Sequence, residues 1–235
     1  MQELPITQKG KTWRVALSTR IVIGFLAVFM FVIAAVMFDV PFMVGGTDHS
    51  GDWIVDVAAL VVTGFGVFAF FALVAALRTH LTLGATSLEG TVVEGHNRLL
   101  VPKFRSFRLA LSDIRSVERR TEMFRTAGLT TMRDAVSLVT TAGERIGLFS
   151  DTLGSAQTMP VDDVSNAIAA AAGIAVTDDG TVRTKGSGLY GAASSTWTET
   201  PLDATSAIKA RHTALFTAQF CTALLLLVFV LRVFL

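Results

Sequence analysis

Ile21-Val22-Ile23-Gly24-Phe25-Leu26-Ala27-Val28-Phe29-Met30-Phe31-Val32-Ile33-Ala34-Ala35-Val36-Met37-Phe38 is a run of 18 residues without a charge, held between Arg20 and Asp39. Two more blocks share its character: Val57–Leu77 between Asp56 and Arg78, and Thr213–Leu231 between His212 and Arg232. A bilayer core about 30 Å thick needs roughly 20 apolar residues at about 1.5 Å each. A helix that is apolar on every side is a membrane span or the core helix of a large protein. With 235 residues, the chain is too small to wrap three such helices, so three spans are expected. The first block is longer than the apolar region of a secretory signal, which favours a retained span over a cleaved leader.

The composition agrees. Half the residues (51%) are hydrophobic, 17% are charged and the mean hydropathy is +0.57, against about 25% charged in an ordinary soluble domain. The net charge of +1 provides no global field for collecting polyanions. A single cysteine, Cys221, excludes an internal disulfide framework and a cysteine-rich metal site.

Lys and Arg in the short flanks set the expected orientation. Lys9, Lys11, Arg14 and Arg20 precede the first block, and Arg78, Lys209 and Arg211 flank the other two on the same side. The loop 39–56 carries no Lys or Arg, but has Asp39, Asp48, Asp52 and Asp56. The expectation is a cytoplasmic tail 1–20, a helical hairpin 21–77 with spans at about 21–38 and 54–77, a cytoplasmic segment, and a third span within 212–235 whose C-terminus faces outward. Pro41 with Gly45-Gly46 is expected to end the first helix, and Trp53 to sit at the outer interface.

The segment 79–212 reads differently. Short runs at 81–84, 91–93, 98–101, 107–111, 135–140 and 145–149 have strand length and composition, with turn residues between them. After them, Val161, Val164, Ile168 and Ala171 fall on one helical face. Asp162 and Asp163 suit the helix start and Gly173 suits its end. Antiparallel strands followed by one helix predict an α+β barrel or sandwich. Residues 177–211 have mostly linker composition, with Tyr190 and Trp197 as the aromatic exceptions, suited to docking on a partner or on the barrel.

Four pieces carry a family resemblance: Leu81–Gly84, Thr86–Glu94, Leu109–Glu118 and Val136–Leu148. Together they resemble the bacterial pleckstrin-homology-like (PH-like) domains, over about residues 79–176. Leu111-Ser112-Asp113-Ile114-Arg115-Ser116-Val117-Glu118 is the most specific piece. The resemblance implies a seven-stranded antiparallel barrel plugged by residues 161–172, and an adaptor role without catalysis. Arg119–Arg133 is longer and more polar than a tight hairpin of that family requires.

Tests for chemistry find little. The sequence holds four histidines, His49, His80, His96 and His212, none at metal-ligand spacing. No nucleophile elbow, phosphate loop or dinucleotide fingerprint occurs. Neither an enzyme nor a bound cofactor is expected. His80 and His212, both expected near the cytoplasmic membrane face, are the only candidates for axial ligation of a haem or pigment. Residues 98–125 hold eight basic against three acidic side chains, a net of +5. Lys103, Arg105, Arg108, Arg115, Arg119 and Arg120 are therefore candidate contacts to anionic headgroups or to a partner. Gly64, Ala69, Ala72, Ala76, Ala218 and Thr222 are candidate close-packing positions within the spans.

Three readings follow. The leading one is a non-catalytic accessory or scaffold subunit of a larger assembly in a bacterial inner membrane, with respiratory or photosynthetic complexes as possible hosts. The second is an adaptor that senses anionic membrane lipid. The third is a haem- or pigment-binding subunit. Nucleic acid is not an expected partner.

Overall fold

The computed structural model describes residues 10–44, 52–126, 129–152, 159–184, 189–193, 197, 200–216 and 219. Strand β1 (Lys11–Arg14) leads into helix α1 (Leu17–Val44), which returns through α2 (Asp52–Arg78). Strands β2 (His80–Leu83), β3 (Ser87–His96), β4 (Pro102–Ala110), β5 (Ile114–Thr126), β6 (Leu129–Thr140) and β7 (Arg145–Thr152) follow. Helix α3 (Val161–Ala172) and strand β8 (Val176–Arg183) come next. A further helical stretch occupies 204–216.

The hairpin packs through its small residues. Ala27, Ala34, Ala59, Ala69, Ala75 and Ala76 are buried, whereas Ile21, Phe25, Leu60 and Phe65 are each more than 60% exposed. A Cβ added to Gly66 would lie 3.3 Å from the Phe31 ring, so glycine sets how closely the helices approach there. Leu17–Phe38 and Val55–Arg78 are long and apolar enough to cross a membrane, and only 11% and 17% of their most apolar stretches are buried. That exposure is the opposite of what a soluble core helix shows. Helix α1 begins four residues before the expected boundary and runs on through Pro41 to Val44. A proline within an apolar helix is tolerated where its freed backbone groups find other partners. The predicted third span, with Ala218 and Thr222, lies outside the described residues except for its first helical residues. The side chain of Trp53 is outside them too.

The strands form two sheets of four, and no closed barrel. This corrects the expected seven-stranded barrel. One sheet has the order β1-β2-β3-β4, all antiparallel. The other has the order β7-β6-β5-β8, with β8 parallel to β5. Two sequence expectations fail for the same reason, an added edge strand. The tail 1–20 contains β1, which pairs with β2 from Lys11↔Leu83 to Arg14↔His80. The expected linker contains β8, which pairs with β5 from Val117↔Val176 to Met123↔Arg183. The residues 119–133 are not an irregular insertion, because the β5–β6 ladder continues to Thr126↔Leu129. Residues 98–101, read as a strand, form the turn between β3 and β4.

The core between the sheets holds Trp13, Leu81, Leu88, Val92, Val117, Val136, Leu138, Ile146 and Leu148. Helix α3 covers it with Val161, Val164 and Ile168, on the face predicted from their spacing. Gly173 ends α3 in the left-handed conformation (φ 69°), and the Gly173 and Ile174 amides donate to the Ala170 and Ala169 carbonyls. Lys11 and the Trp13 indole both donate to Asp163, tying β1 to α3.

Candidate functional site

The hairpin and the two-sheet domain meet along one seam. Helix α2 ends at Arg78, and β2 starts two residues later, at His80. Strand β2 is short: His80 pairs with Thr91 and Leu83 with Leu88. Strand β3 lies close against β2 at Gly90, where a Cβ would sit 2.5 Å from the His80 carbonyl oxygen. It then runs on from Val92 to His96 beside α2.

Three contacts hold this overhang. Val93 packs with Ala75 and Ala192. The Arg78 guanidinium lies 5.0 Å from the centre of the Phe104 ring. The Tyr190 ring sits 5.3 Å from Phe68, ten residues before Arg78 on α2. Burial pushes the Tyr190 phenol above its ordinary pKa, and its hydroxyl donates to the Leu100 carbonyl at 2.6 Å. Arg14, Leu77, Arg78, His80, Thr91, Phe104 and Ser106 line a cavity of about 440 Å³ at the seam.

The basic candidates do not form one surface. Arg105 pairs with Glu144 and Glu94, the latter at 3.5 Å, and Arg108 lies 3.8 Å from Glu89. Arg119 bridges Asp162 of α3 and Asp178 of β8. Its hydrogen bond to Asp178 raises its already high pKa. Burial works to raise the Asp178 carboxyl, but the Gly180 amide and Arg119 outweigh it and hold Asp178 below its ordinary range. Arg120 is 1% exposed: it donates to Glu122 at 2.7 Å and 3.1 Å, with the Trp197 ring 3.6 Å from its guanidinium carbon. It is not placed to meet a headgroup or a partner. Lys103 and Arg115 are exposed. The net charge of 98–125 misled because the neutralising carboxylates Glu89, Glu144, Asp162 and Asp178 lie elsewhere in the chain.

Of the packing candidates, Ala69 and Ala76 are buried and Ala72 is half-buried, while Gly64 is exposed with nothing near its missing Cβ. His80 is half-buried beside the seam, with Nδ1 2.9 Å from the Arg78 carbonyl oxygen. His212 is exposed on the stretch 204–216. Among the described residues, no three His, Cys, Asp or Glu side chains gather as a metal site would require. A second cavity, of about 390 Å³, lies between sheet and helix beside Arg119, Asp134, Asp162 and Arg211, where both charge signs are mixed.

Sequence reasoning missed the seam. Tyr190 and Leu99-Leu100 lie 90 residues apart and are joined by a single hydrogen bond. The one signal was the isolated Tyr190 in a stretch otherwise of linker composition. The chain matches no known family model, no curated protein and no solved structure.

Proposed function

We propose that the chain is a membrane-anchored adaptor without catalysis, which serves as an accessory or scaffold subunit of a larger membrane assembly. The α1–α2 hairpin crosses the bilayer, joined by the third apolar block, and the two-sheet domain lies on the cytoplasmic side. The seam carries this reading. Val93, Phe104 and Tyr190 pack on α2, so the domain is not a module swinging on a linker. A fixed domain at a membrane surface presents the same face to every neighbour, which suits a subunit that organises others.

The PH-like resemblance fits this role. Strands precede a single helix that packs over the core, as in that family, although the sheets here stay open. The carboxylate partners of Arg105, Arg108 and Arg119 and the burial of Arg120 weigh against a strand that reads anionic headgroups. The test is purification of the tagged protein from its native membrane in mild detergent, followed by a native gel and mass spectrometry. Co-migration with a stoichiometric larger complex is expected. A lone species without partners would contradict the scaffold role.

A further inference from the structure

Leu99 is 78% exposed and Leu100 is 42% exposed, at the tip of the β3–β4 turn. Among the described residues, most large apolar side chains exposed to that degree lie on α1 and α2. Five residues of β3, Val92–His96, continue past the Thr91↔His80 pair, about 17 Å at roughly 3.4 Å per residue. At their far end Leu100 is bound to Tyr190, which packs on Phe68. Phe68 precedes Arg78 by ten residues, about 15 Å along the helix axis at 1.5 Å per residue.

The backbone of the turn is unusually self-contained. The Asn97 side-chain oxygen accepts from the Leu99 and Val101 amides, both at 2.9 Å. The Leu100 amide donates to the Asn97 carbonyl at 3.1 Å, and the Asn97 amide donates to Val101 at 3.0 Å. Leu100 is held at φ +58°, a conformation that glycine or asparagine adopts at less cost. A loop that only met water would have no need of an exposed leucine in that position. Arg98 and Lys103, both exposed, flank the leucines, and Arg14 and Arg78 lie nearer the helix end. The nearby acidic groups Glu94 and Glu144 both pair with Arg105.

We propose that the β3–β4 turn is a membrane wedge: Leu99 and Leu100 enter the acyl region of the leaflet on the domain's side, with Arg98 and Lys103 at the headgroups. The occupant of this apolar surface is lipid, because the turn is tied through Tyr190 and Phe68 to α2, whose exposed apolar flank is the part of the chain proposed to lie in the bilayer. Apolar residues buried about 5–10 Å deep beside cations are the usual pattern of an interfacial anchor. Internal satisfaction of the amides is what such a position requires, since the acyl region offers no hydrogen bonds. The inference rests on the membrane-spanning reading of the hairpin.

The experiment uses the full chain with Cys221→Ser, reconstituted in vesicles of phosphatidylcholine and phosphatidylglycerol. A bimane probe is placed in turn at Leu99→Cys, at Phe25→Cys on the hairpin, and at Ala85→Cys in the turn at the far end of β2. Lipid brominated in the upper acyl chain serves as quencher. The proposal expects the probes at 99 and 25 to lose most of their fluorescence and the probe at 85 to keep it. Quenching at 25 without quenching at 99 overturns the wedge and leaves the span intact. No quenching at either position overturns the spanning reading itself. A blue-shifted, unquenched probe at 99 means that protein covers the leucines, which also overturns the wedge.

Discussion

The helical hairpin and the two-sheet domain are built inside-out with respect to each other. In the hairpin, Ala27, Ala59, Ala75 and Gly66 lie inside and Phe25, Phe65 and Leu60 face outward; in the domain, Leu81, Leu138 and Leu148 lie inside and, the buried Arg120–Glu122 pair and Asp151 apart, most described charges reach the surface. One chain therefore follows two rules, as the proposed arrangement requires, with lipid around the hairpin and water around the domain. Water drives large apolar side chains inward. Lipid removes that drive, so helices associate through close approach of small residues. The seam is where the rules change over, and it carries mixed pairs such as Arg78 with Phe104.

Substitutions can break this comparison, beginning with the largest effect. Arg120→Ala takes the hydrogen-bonded guanidinium from the buried Glu122, leaving it only with Arg133 across the β5–β6 ladder among the described cations, and should cost about 3–5 kcal/mol, read as a lowered denaturation midpoint of the purified protein. Arg120→Met combined with Glu122→Leu should recover only part of that loss, because the hydrogen-bonded pair leaves together but Arg133, opposite Glu122 on the ladder, loses its carboxylate. Leu148→Ala opens a cavity in the water-facing domain and should cost about 2–5 kcal/mol. In the same unfolding assay Val32→Ala, on the outer face of α1, should stay within about 0.5 kcal/mol of the parent. If the two alanine substitutions cost the same, the two-solvent account fails. Val32→Arg should instead impair insertion by about 2.5–3.5 kcal/mol, seen as a fall in the membrane-inserted fraction.

Tyr190→Phe sharpens the seam. It removes the hydrogen bond to Leu100 and should cost about 1 kcal/mol, with faster amide exchange confined to residues 97–101. Asp163 gives the smallest effect, about 0.5–1 kcal/mol for an exposed ion pair with one indole hydrogen bond. Hydrogen bonds from Lys11 and Trp13 hold its carboxyl below the ordinary range. A depressed folded-state pKa contributes stability above the unfolded value of about 3.9 and loses it as pH falls through the folded one. Acid should therefore loosen β1 from α3, and Asp163→Ala should flatten that pH dependence of the unfolding midpoint.

Much of this was legible in the sequence because it is local. Uncharged runs marked α1 and α2, the spacing of Val161, Val164 and Ile168 marked α3, and Gly173 marked its end. The strands between Leu81 and Phe149 were mostly found by composition. Pairing between distant segments was not legible. Lys11–Arg14 was read for its positive charge, although Trp13 points into the core; Val176–Arg183 was read for its Asp and Gly content, although β5 offered it an open edge. The open sheets follow from these two strands, which a seven-strand barrel has no place for. The basic cluster failed for a related reason: a local charge sum cannot see Asp162 or Glu144 arriving from elsewhere in the fold. The seam was illegible because it joins positions 68, 100 and 190, which nothing in the linear pattern connects.

The most direct test of the account is side-specific labelling in sealed vesicles. Single cysteines, Thr47→Cys between the helices and Ala85→Cys in the domain, are placed in the Cys221→Ser background and treated with a membrane-impermeant maleimide. The account predicts that right-side-out vesicles label only position 47 and inverted vesicles label only position 85. Labelling of both positions from the same side would show that the hairpin does not cross, and would contradict the central claim.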